Sequence, residues 1–179
     1  MIQHKIGKIT FELREGDIAH QPDMVAVVNA ANAELRPGGG VAGAIHRAAG
    51  PGLEKECYPL APIKPGDAVI TGAHNLPNRY VIHCLGPIYG VNHPEDQLLA
   101  RCYSNALQLA DENGITSIAF PAISTGAFGY PPEEAVPIAV DTIVDMMPGL
   151  KSVKHVVMVL YFANDYQAHE TYINQRLKT

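Results

Sequence analysis

Short apolar runs alternate along the chain with longer amphipathic segments. The run MVAVV (24–28) is continuous and rich in β-branched residues, which is typical of a strand covered on both faces. Residues 8–14 alternate between polar and apolar side chains, which predicts a half-buried edge strand antiparallel to its neighbour. Further strands are predicted at AVITGA (68–73), RYVIHCLG (79–86), SIAFPA (117–122) and HVVMVLYF (155–162).

Helical spacing of apolar residues separates these runs. VAGAIHRAAG (41–50) predicts a helix that Gly50 closes and that Pro51 breaks. Residues 94–113 place an apolar face at helical spacing, formed by Leu98, Leu99, Cys102, Ala106, Leu109 and Ala110. PEEAVPIAVDTIVDMM (132–147) has acidic residues near its start, which complement a helix dipole, and NDYQAHETYINQRLK (164–178) predicts a polar closing helix.

Strands that alternate with helices and form continuous apolar runs predict an α/β protein. We expect a three-layer α/β/α sandwich around a central mixed, mostly parallel sheet. The chain has 179 residues and shows no repeat, low-complexity segment or linker, so we expect one domain over residues 1–179.

Charge and cysteine usage narrow the class of protein. The formal net charge of -5 argues against a broad basic face for extended nucleic acid. The three cysteines match no zinc or redox spacing and are expected to be reduced thiols in the core. The charged N-terminus lacks a signal peptide, and no apolar run approaches the roughly 18 residues of a membrane helix. We therefore expect a cytoplasmic protein with no membrane partner.

Two loops rich in small residues follow predicted buried strands, at residues 29–43 and 123–130. Ligands of open α/β sheets collect outside the carboxyl ends of the strands. Glycine lets backbone N–H groups approach an anion, and a helix N-terminus adds partial positive charge. The two loops side by side predict a cradle for a diphosphate, although each loop alone is also compatible with a plain turn.

Other chemistries fit the sequence less well. Residues 38–43 match G-x-G-x-x-G, but NAANAELRP separates them from the strand, and no acidic residue closes a later strand as a dehydrogenase requires. No GK[ST] follows for a phosphate-binding P-loop. The eight histidines form no metal-ligand motif, so neither a metal nor a cofactor is expected. Ser124 is a nucleophile only in principle, and a hydroxyl that faces phosphate is the preferred interpretation.

Five segments together resemble the macrodomain family, whose modules bind ADP-ribose. They are GDI (16–18), VVNAAN (27–32), GGGVAGAIHRAAG (38–50), YVIHCLGP (80–87) and SIAFPAISTGAFGYP (117–131). The resemblance extends from about residue 9 to residue 175 and keeps the order of the family's motifs. It is greatest to stand-alone bacterial macrodomains that remove ADP-ribose from proteins or deacetylate O-acetyl-ADP-ribose.

The resemblance implies roles for individual residues. Asp17 would accept a hydrogen bond from the adenine amino group, Ile18 would line that pocket and Tyr161 would lie against adenine. From the residues alone, Asp17 is also compatible with a turn and Tyr161 with a core aromatic. Asn32 would face the distal ribose as the catalytic residue, and Asn29 would tie the loop together. The diphosphate and distal ribose would be held by Gly39, Gly40, Val41, Ala42, Gly43 and Ala44, and opposite them by Ser124, Thr125, Gly126, Ala127 and Phe128.

Two positions depart from the family's patterns. Many hydrolytic bacterial members carry Asp after the Val of the glycine loop, where this chain has Ala42. Other members have Ala there and a His before the glycines, where this chain has Pro37. The resemblance therefore implies either a largely substrate-assisted hydrolase or a module that recognises ADP-ribose without cleaving it. The partner would be ADP-ribose or an ADP-ribosylated protein.

Overall fold

The computed structural model describes residues 2–177, in which seven strands form one sheet between two layers of helices. The strands are β1 (Ile2–Ile6), β2 (Ile9–Glu15), β3 (Ala26–Ala30), β4 (Ala68–Gly72), β5 (Tyr80–Cys84), β6 (Ser117–Phe120) and β7 (His155–Leu160). The helices are α1 (Gly40–Ala49), α2 (Pro51–Cys57), α3 (Glu95–Glu112), α4 (Pro132–Met146) and α5 (Ala163–Arg176). Lys178, the predicted end of the closing helix, lies outside the described residues.

The sheet is mixed and mostly parallel, as predicted. Its strand order is β1-β2-β7-β6-β3-β5-β4. The inner neighbours from β2 to β5 all pair in parallel, whereas β1 and β4 run antiparallel to the strands beside them. The carboxyl ends of the parallel strands therefore lie along one edge of the sheet.

Each face of the sheet packs against its own layer of helices. One apolar cluster joins the sheet to α3, α4 and α5, with Leu99 of α3 and Val140 of α4 both fully buried. The other joins the opposite face to α1 and α2 through Ile45 and Leu53, which are also fully buried. This arrangement confirms the three-layer α/β/α sandwich.

The cysteines lie in these clusters and are free thiols, as predicted. Burial raises the pKa of Cys57 to about 11 and that of Cys102 to about 12. Burial also raises the pKa of Cys84. Because the thiolate is the reactive form, these thiols are inert near neutral pH.

One prediction about local structure was wrong, and one helix was not predicted. The alternating strand β2 is not an edge strand, because β1 pairs antiparallel with its outer side and β7 pairs parallel with its inner side. The first helix ends at Gly50 as predicted, but a second, unpredicted helix follows at once, with Pro51 in the first turn of α2. Proline suits that position because the N–H that it lacks has no partner in a first helical turn.

Candidate ligand-binding site

The site lies where the chain leaves neighbouring strands in opposite directions. From β3 it passes through α1 and α2 toward β5, and from the adjacent β6 it passes through α4 toward β7. The two connections cover opposite faces of the sheet. Such a topological switch point opens a crevice at the carboxyl ends of the strands. The β3–α1 loop (31–39) and the β6–α4 loop (121–131) flank this crevice, which confirms that both small-residue loops meet at one edge.

The Asn32 side chain organises the β3–α1 loop. Its Nδ2 donates to the Arg36 carbonyl oxygen at 2.8 Å, and its Oδ1 accepts from the Arg36 N–H at 3.0 Å. The intervening Leu35 is left-handed, with φ of 55°, and its side chain is buried. An amide group has two N–H donors and two acceptor lone pairs, so Asn32 keeps one of each for a ligand.

The glycine run brings this loop onto the first turn of α1. A Cβ at residue 43 would overlap the Gly38 carbonyl oxygen, so the two backbones touch only because residue 43 is glycine. Gly39 precedes the helix with no side-chain cap. Within the described residues, the N–H groups of Gly40, Val41 and Ala42 donate to no protein acceptor. They form a positively polarised helix end that can accept an anion.

The buried side chain of Ser124 connects the β6–α4 loop to the neighbouring β5–α3 connection. Its φ is 68°, its side chain is buried, and its hydroxyl donates to the Pro87 carbonyl oxygen at 2.8 Å. The hydroxyl thus faces the β5–α3 connection instead of a phosphate, which corrects the preferred interpretation of that group. The Phe128 carbonyl oxygen accepts from the Tyr89 N–H at 2.9 Å, a second link to the same connection.

These contacts hold the loop while leaving its amides available. The Ser124 and Gly126 carbonyl oxygens accept from Tyr130 and Gly129 at 2.9 and 3.0 Å. Among the described residues, no acceptor pairs with the N–H groups of residues 124–128. Successive free amides of this kind form an anion-binding concavity.

Apolar contacts join three loops of the site to one cluster. Ile18 is buried in the cluster beneath α1, and Phe128, Val41 and Ala44 pack against it. Ala42, in the first turn of α1, is also buried, with 5% of its surface exposed. Predicted residues that follow β2, β3 and β6 therefore contact one apolar cluster, which forms the floor of the crevice.

Asp17 and Tyr161 lie at the far end of this edge. Asp17 Oδ1 accepts from the Ala19 N–H at 2.9 Å, and its Oδ2 lies 3.1 Å from His20 Nδ1. Tyr161 follows β7 and is 70% exposed, which rules out the core-aromatic alternative. It packs edge-to-face with Phe162, which is 60% exposed, at 5.1 Å between ring centroids. Phe162, which was not among the predicted site residues, thus places a second exposed ring beside Tyr161.

Asn29 lies behind the crevice and not along its wall. It is fully buried, and its Nδ2 lies 3.1 Å from His83 Nδ1 on the neighbouring strand β5. His83 Nε2 lies 2.9 Å from Thr71 Oγ1 on β4. Burial and the nearby His46 lower the pKa of His83 to about 3, so the ring stays neutral and joins three strands by hydrogen bonds. Asn29 thus connects strands β3 and β5, whereas the prediction had it hold the β3–α1 loop together.

The site is built from backbone amides and neutral side chains. In the part of the chain that the structure describes, no group of three His, Cys, Asp or Glu residues is placed to hold a metal ion. None of the helices of residues 2–177 combines the length and apolar character that crossing a bilayer requires. Fold and loops together define an α/β protein with an anion cradle at its switch point.

Comparison with known proteins identifies the family. The Macro domain family model matches residues 28–139, which include both loops of the cradle. The chain belongs to the macrodomain family.

Relatives share most of their length with this chain. The O-acetyl-ADP-ribose deacetylase of Citrobacter koseri is 45% identical over 174 residues, which are 94% of this chain and 98% of the relative. A macro domain-containing protein of Caldanaerobacter subterraneus is 47% identical over 167 residues, or 90% and 94% of the two chains.

Solved macrodomain structures match the whole fold. The Oceanobacillus iheyensis macrodomain with ADP superposes with a TM-score of 0.93 at 38% identity, covering 98% of this chain and 97% of that one. The Trypanosoma brucei macrodomain in complex with ADP-ribose gives a TM-score of 0.84 at 34% identity, covering 91% of this chain and 68% of that one.

Proposed function

We propose that this protein binds ADP-ribose across the switch-point crevice and hydrolyses mono-ADP-ribosyl esters of acidic side chains or O-acetyl-ADP-ribose. The observation that carries the proposal is the pair of loops whose free N–H groups flank one crevice. A diphosphate carries two negative charges, and preorganised N–H donors stabilise them without a basic side chain. The macrodomain membership of the chain and relatives named O-acetyl-ADP-ribose deacetylase support the choice of ligand.

The ligand is assigned along the edge of the sheet from β7 to β3. Adenine lies against Tyr161 and Ile18, and its amino group donates to Asp17. The diphosphate lies between residues 39–44 and residues 124–128. The distal ribose lies between Phe128 and Asn32, whose spare N–H and lone pair suit ribose hydroxyls. This order agrees with the apolar floor, which extends from Ile18 to Phe128.

Hydrolysis then proceeds with little help from a protein base. Water adds to the ester, the bond to the carboxylic acid breaks, and the released products are the free acid and ADP-ribose. Ala42 and Pro37 provide no carboxylate or imidazole, so a phosphate oxygen of the ligand positions the water. Orientation by Asn32 and charge stabilisation by the loop amides lower the barrier. The missing base costs about 10²–10⁴ in rate relative to an enzyme that has one.

One experiment tests this function directly. Purified protein is incubated with a mono-ADP-ribosylated protein and, separately, with O-acetyl-ADP-ribose, and free ADP-ribose is measured over time. We expect release above a heat-killed control that rises with protein concentration. No release at high concentration from either substrate contradicts hydrolysis.

The alternative is a module that recognises ADP-ribose without cleaving it. The absence of an acid at Ala42 and of a histidine at Pro37 favours it. Calorimetry distinguishes the two: binding of ADP-ribose with no turnover of either ester supports the module. The dehydrogenase interpretation loses its basis, since the G-x-G-x-x-G match begins only near the end of the β3–α1 loop.

A further inference from the structure

A second surface lies beside the ribose end of the cradle. An open groove of about 490 Å³ lies between the β3–α1 loop and α2. Its walls are Glu34, Leu35, Arg36, Glu54, Lys55 and Tyr58. We propose that this groove binds the polypeptide of an ADP-ribosylated protein next to its modified side chain. This inference rests on the proposed function, because it takes the position of the distal ribose from it.

A backbone hydrogen bond and buried apolar packing connect the walls of the groove. The Ala33 carbonyl oxygen accepts from the Ile63 N–H at 3.0 Å, which joins the loop to the segment after α2. Leu35 points inward to the same apolar cluster as Leu53 and Cys57 of α2. Its left-handed backbone turns the exposed neighbours Glu34 and Arg36 outward. A preformed groove spares the partner much of the ordering cost of binding.

The chemistry of the groove fits a polypeptide. Two acidic and two basic side chains line it, and in the described residues none of the four forms an ion pair. Balanced signs suit a polypeptide that carries both charges, whereas a surface for a nucleic acid backbone has an excess of Lys and Arg that this lining lacks. Tyr58 is 73% exposed at the rim and offers a large ring with a polar end, as recognition surfaces often do.

The groove also lies beside the point at which the polypeptide of a modified protein would extend away from the bound ADP-ribose. Two hydrogen bonds join the Asn32 side chain to the backbone of Arg36, so the ribose-side amide is directly connected to the groove wall. A modified side chain attached to the distal ribose emerges at this loop. The residues flanking it then cross the groove toward Tyr58.

The test compares a peptide bearing one ADP-ribose through a hydrolysis-resistant amide link with free ADP-ribose. We expect calorimetry to show that the wild-type protein binds the modified peptide about three- to tenfold more tightly than ADP-ribose. Tyr58→Ala and Lys55→Glu should abolish that difference and leave the Kd of ADP-ribose within about twofold of wild type. The matched control Lys154→Glu changes an exposed lysine just before the amino end of β7, away from the carboxyl ends of the strands, and should behave as wild type.

Several outcomes overturn the inference. Equal affinities of wild type for the peptide and for ADP-ribose would show that the groove contributes nothing. An equal loss for both ligands in Tyr58→Ala would assign that residue to the cradle. A gain for an ADP-ribosylated DNA end, but none for the peptide, would assign the groove to nucleic acid. A wild-type protein that binds no ADP-ribose refutes the proposed function as well, so the two failures are distinguishable.

Discussion

Gly43 and Gly38 touch backbone to backbone at the start of α1. A Cβ at residue 43 would overlap the Gly38 carbonyl oxygen, and that carbonyl belongs to the loop that leads into the free amides of the first turn of α1. We expect Gly43→Ala to displace the loop, to weaken ADP-ribose binding more than about tenfold and to lower the free energy of unfolding by about 1–3 kcal/mol. Calorimetry and urea unfolding measure the two effects. Gly149→Ala, where an added Cβ meets nothing within 4 Å, should match wild type in both.

Asn32 is expected to matter more for the reaction than for binding. Asn32→Ala removes the spare donor and acceptor beside the ribose, so kcat for O-acetyl-ADP-ribose should fall about 10²-fold while the Kd of ADP-ribose rises by less than tenfold. Steady-state kinetics and calorimetry provide the comparison. Asn113→Ala is a matched control, because Asn113 Nδ2 also donates to a carbonyl oxygen four residues away, at 2.8 Å from Leu109. Equal losses in kcat and affinity would limit Asn32 to holding the loop.

Ala42 lies where a protein carboxylate could act as a base in addition to the phosphate oxygen of the substrate. Ala42→Asp places an acid in the first turn of α1, at the position where the family resemblance implies a carboxylate in hydrolytic members. We expect the rate of ester hydrolysis to rise at least about tenfold, since a positioned base contributes up to 10²–10⁴. Ala42→Asn has the same shape without the base and should show no gain. A faster Asn variant would point to altered loop geometry instead of base catalysis.

Tyr161 should contribute stacking energy to the adenine end. Its ring is 70% exposed and free to cover a base, and base–aromatic stacking is worth about 1–3 kcal/mol. Tyr161→Ala should therefore weaken both ADP and ADP-ribose about fivefold to 100-fold in calorimetry. Tyr58→Ala removes an equally exposed tyrosine outside the cradle and should leave both affinities unchanged. Unaltered ADP binding in Tyr161→Ala would remove this residue from the site.

The carboxylate of Glu12 makes the free energy of unfolding depend on pH in the acid range. Its carboxylate is buried, 2.7 Å from Arg14 Nε and 2.9 Å from His155 Nε2. Burial alone raises the pKa of Glu12, but the hydrogen bond and charge of Arg14, together with hydrogen bonds from His155 and Gln3, outweigh it and leave the pKa below its ordinary value. The unfolded chain then binds the proton more readily. The stabilisation is complete above the unfolded pKa of about 4.3 and is lost as pH falls through the lower folded value.

Glu12→Gln removes this charge and tests the linkage. We expect the variant to be less stable by about 1–3 kcal/mol at pH 7, with a smaller loss of stability below pH 4 than wild type. Urea unfolding at several pH values measures both. Glu15→Gln changes an exposed carboxylate on the same strand and should keep the wild-type slope. Parallel slopes for wild type and Glu12→Gln would assign the acid dependence to other carboxylates.

The sequence predicted much of the secondary structure because its patterns are local. The run at 24–28 led to β3, and the apolar face of residues 94–113 led to α3, Glu95–Glu112. The strand β1 was missed because five alternating residues ahead of a glycine turn carry little signal until β2 pairs with them. The helix α2 was missed because Pro51 both ends one helix and begins the next.

The sequence by itself determined which segments form the layers and which loops are small enough for backbone amides to meet an anion. Periodicity and residue size are properties of neighbours in the chain. Tertiary structure decided what individual polar groups do, because their partners are distant in sequence. Asn29 meets His83 54 residues away, and Ser124 donates to Pro87 37 residues away. Only the pairing of β3 with β5 and β6 brings such groups within hydrogen-bond distance, and it leaves the loop amides as the donors of the site.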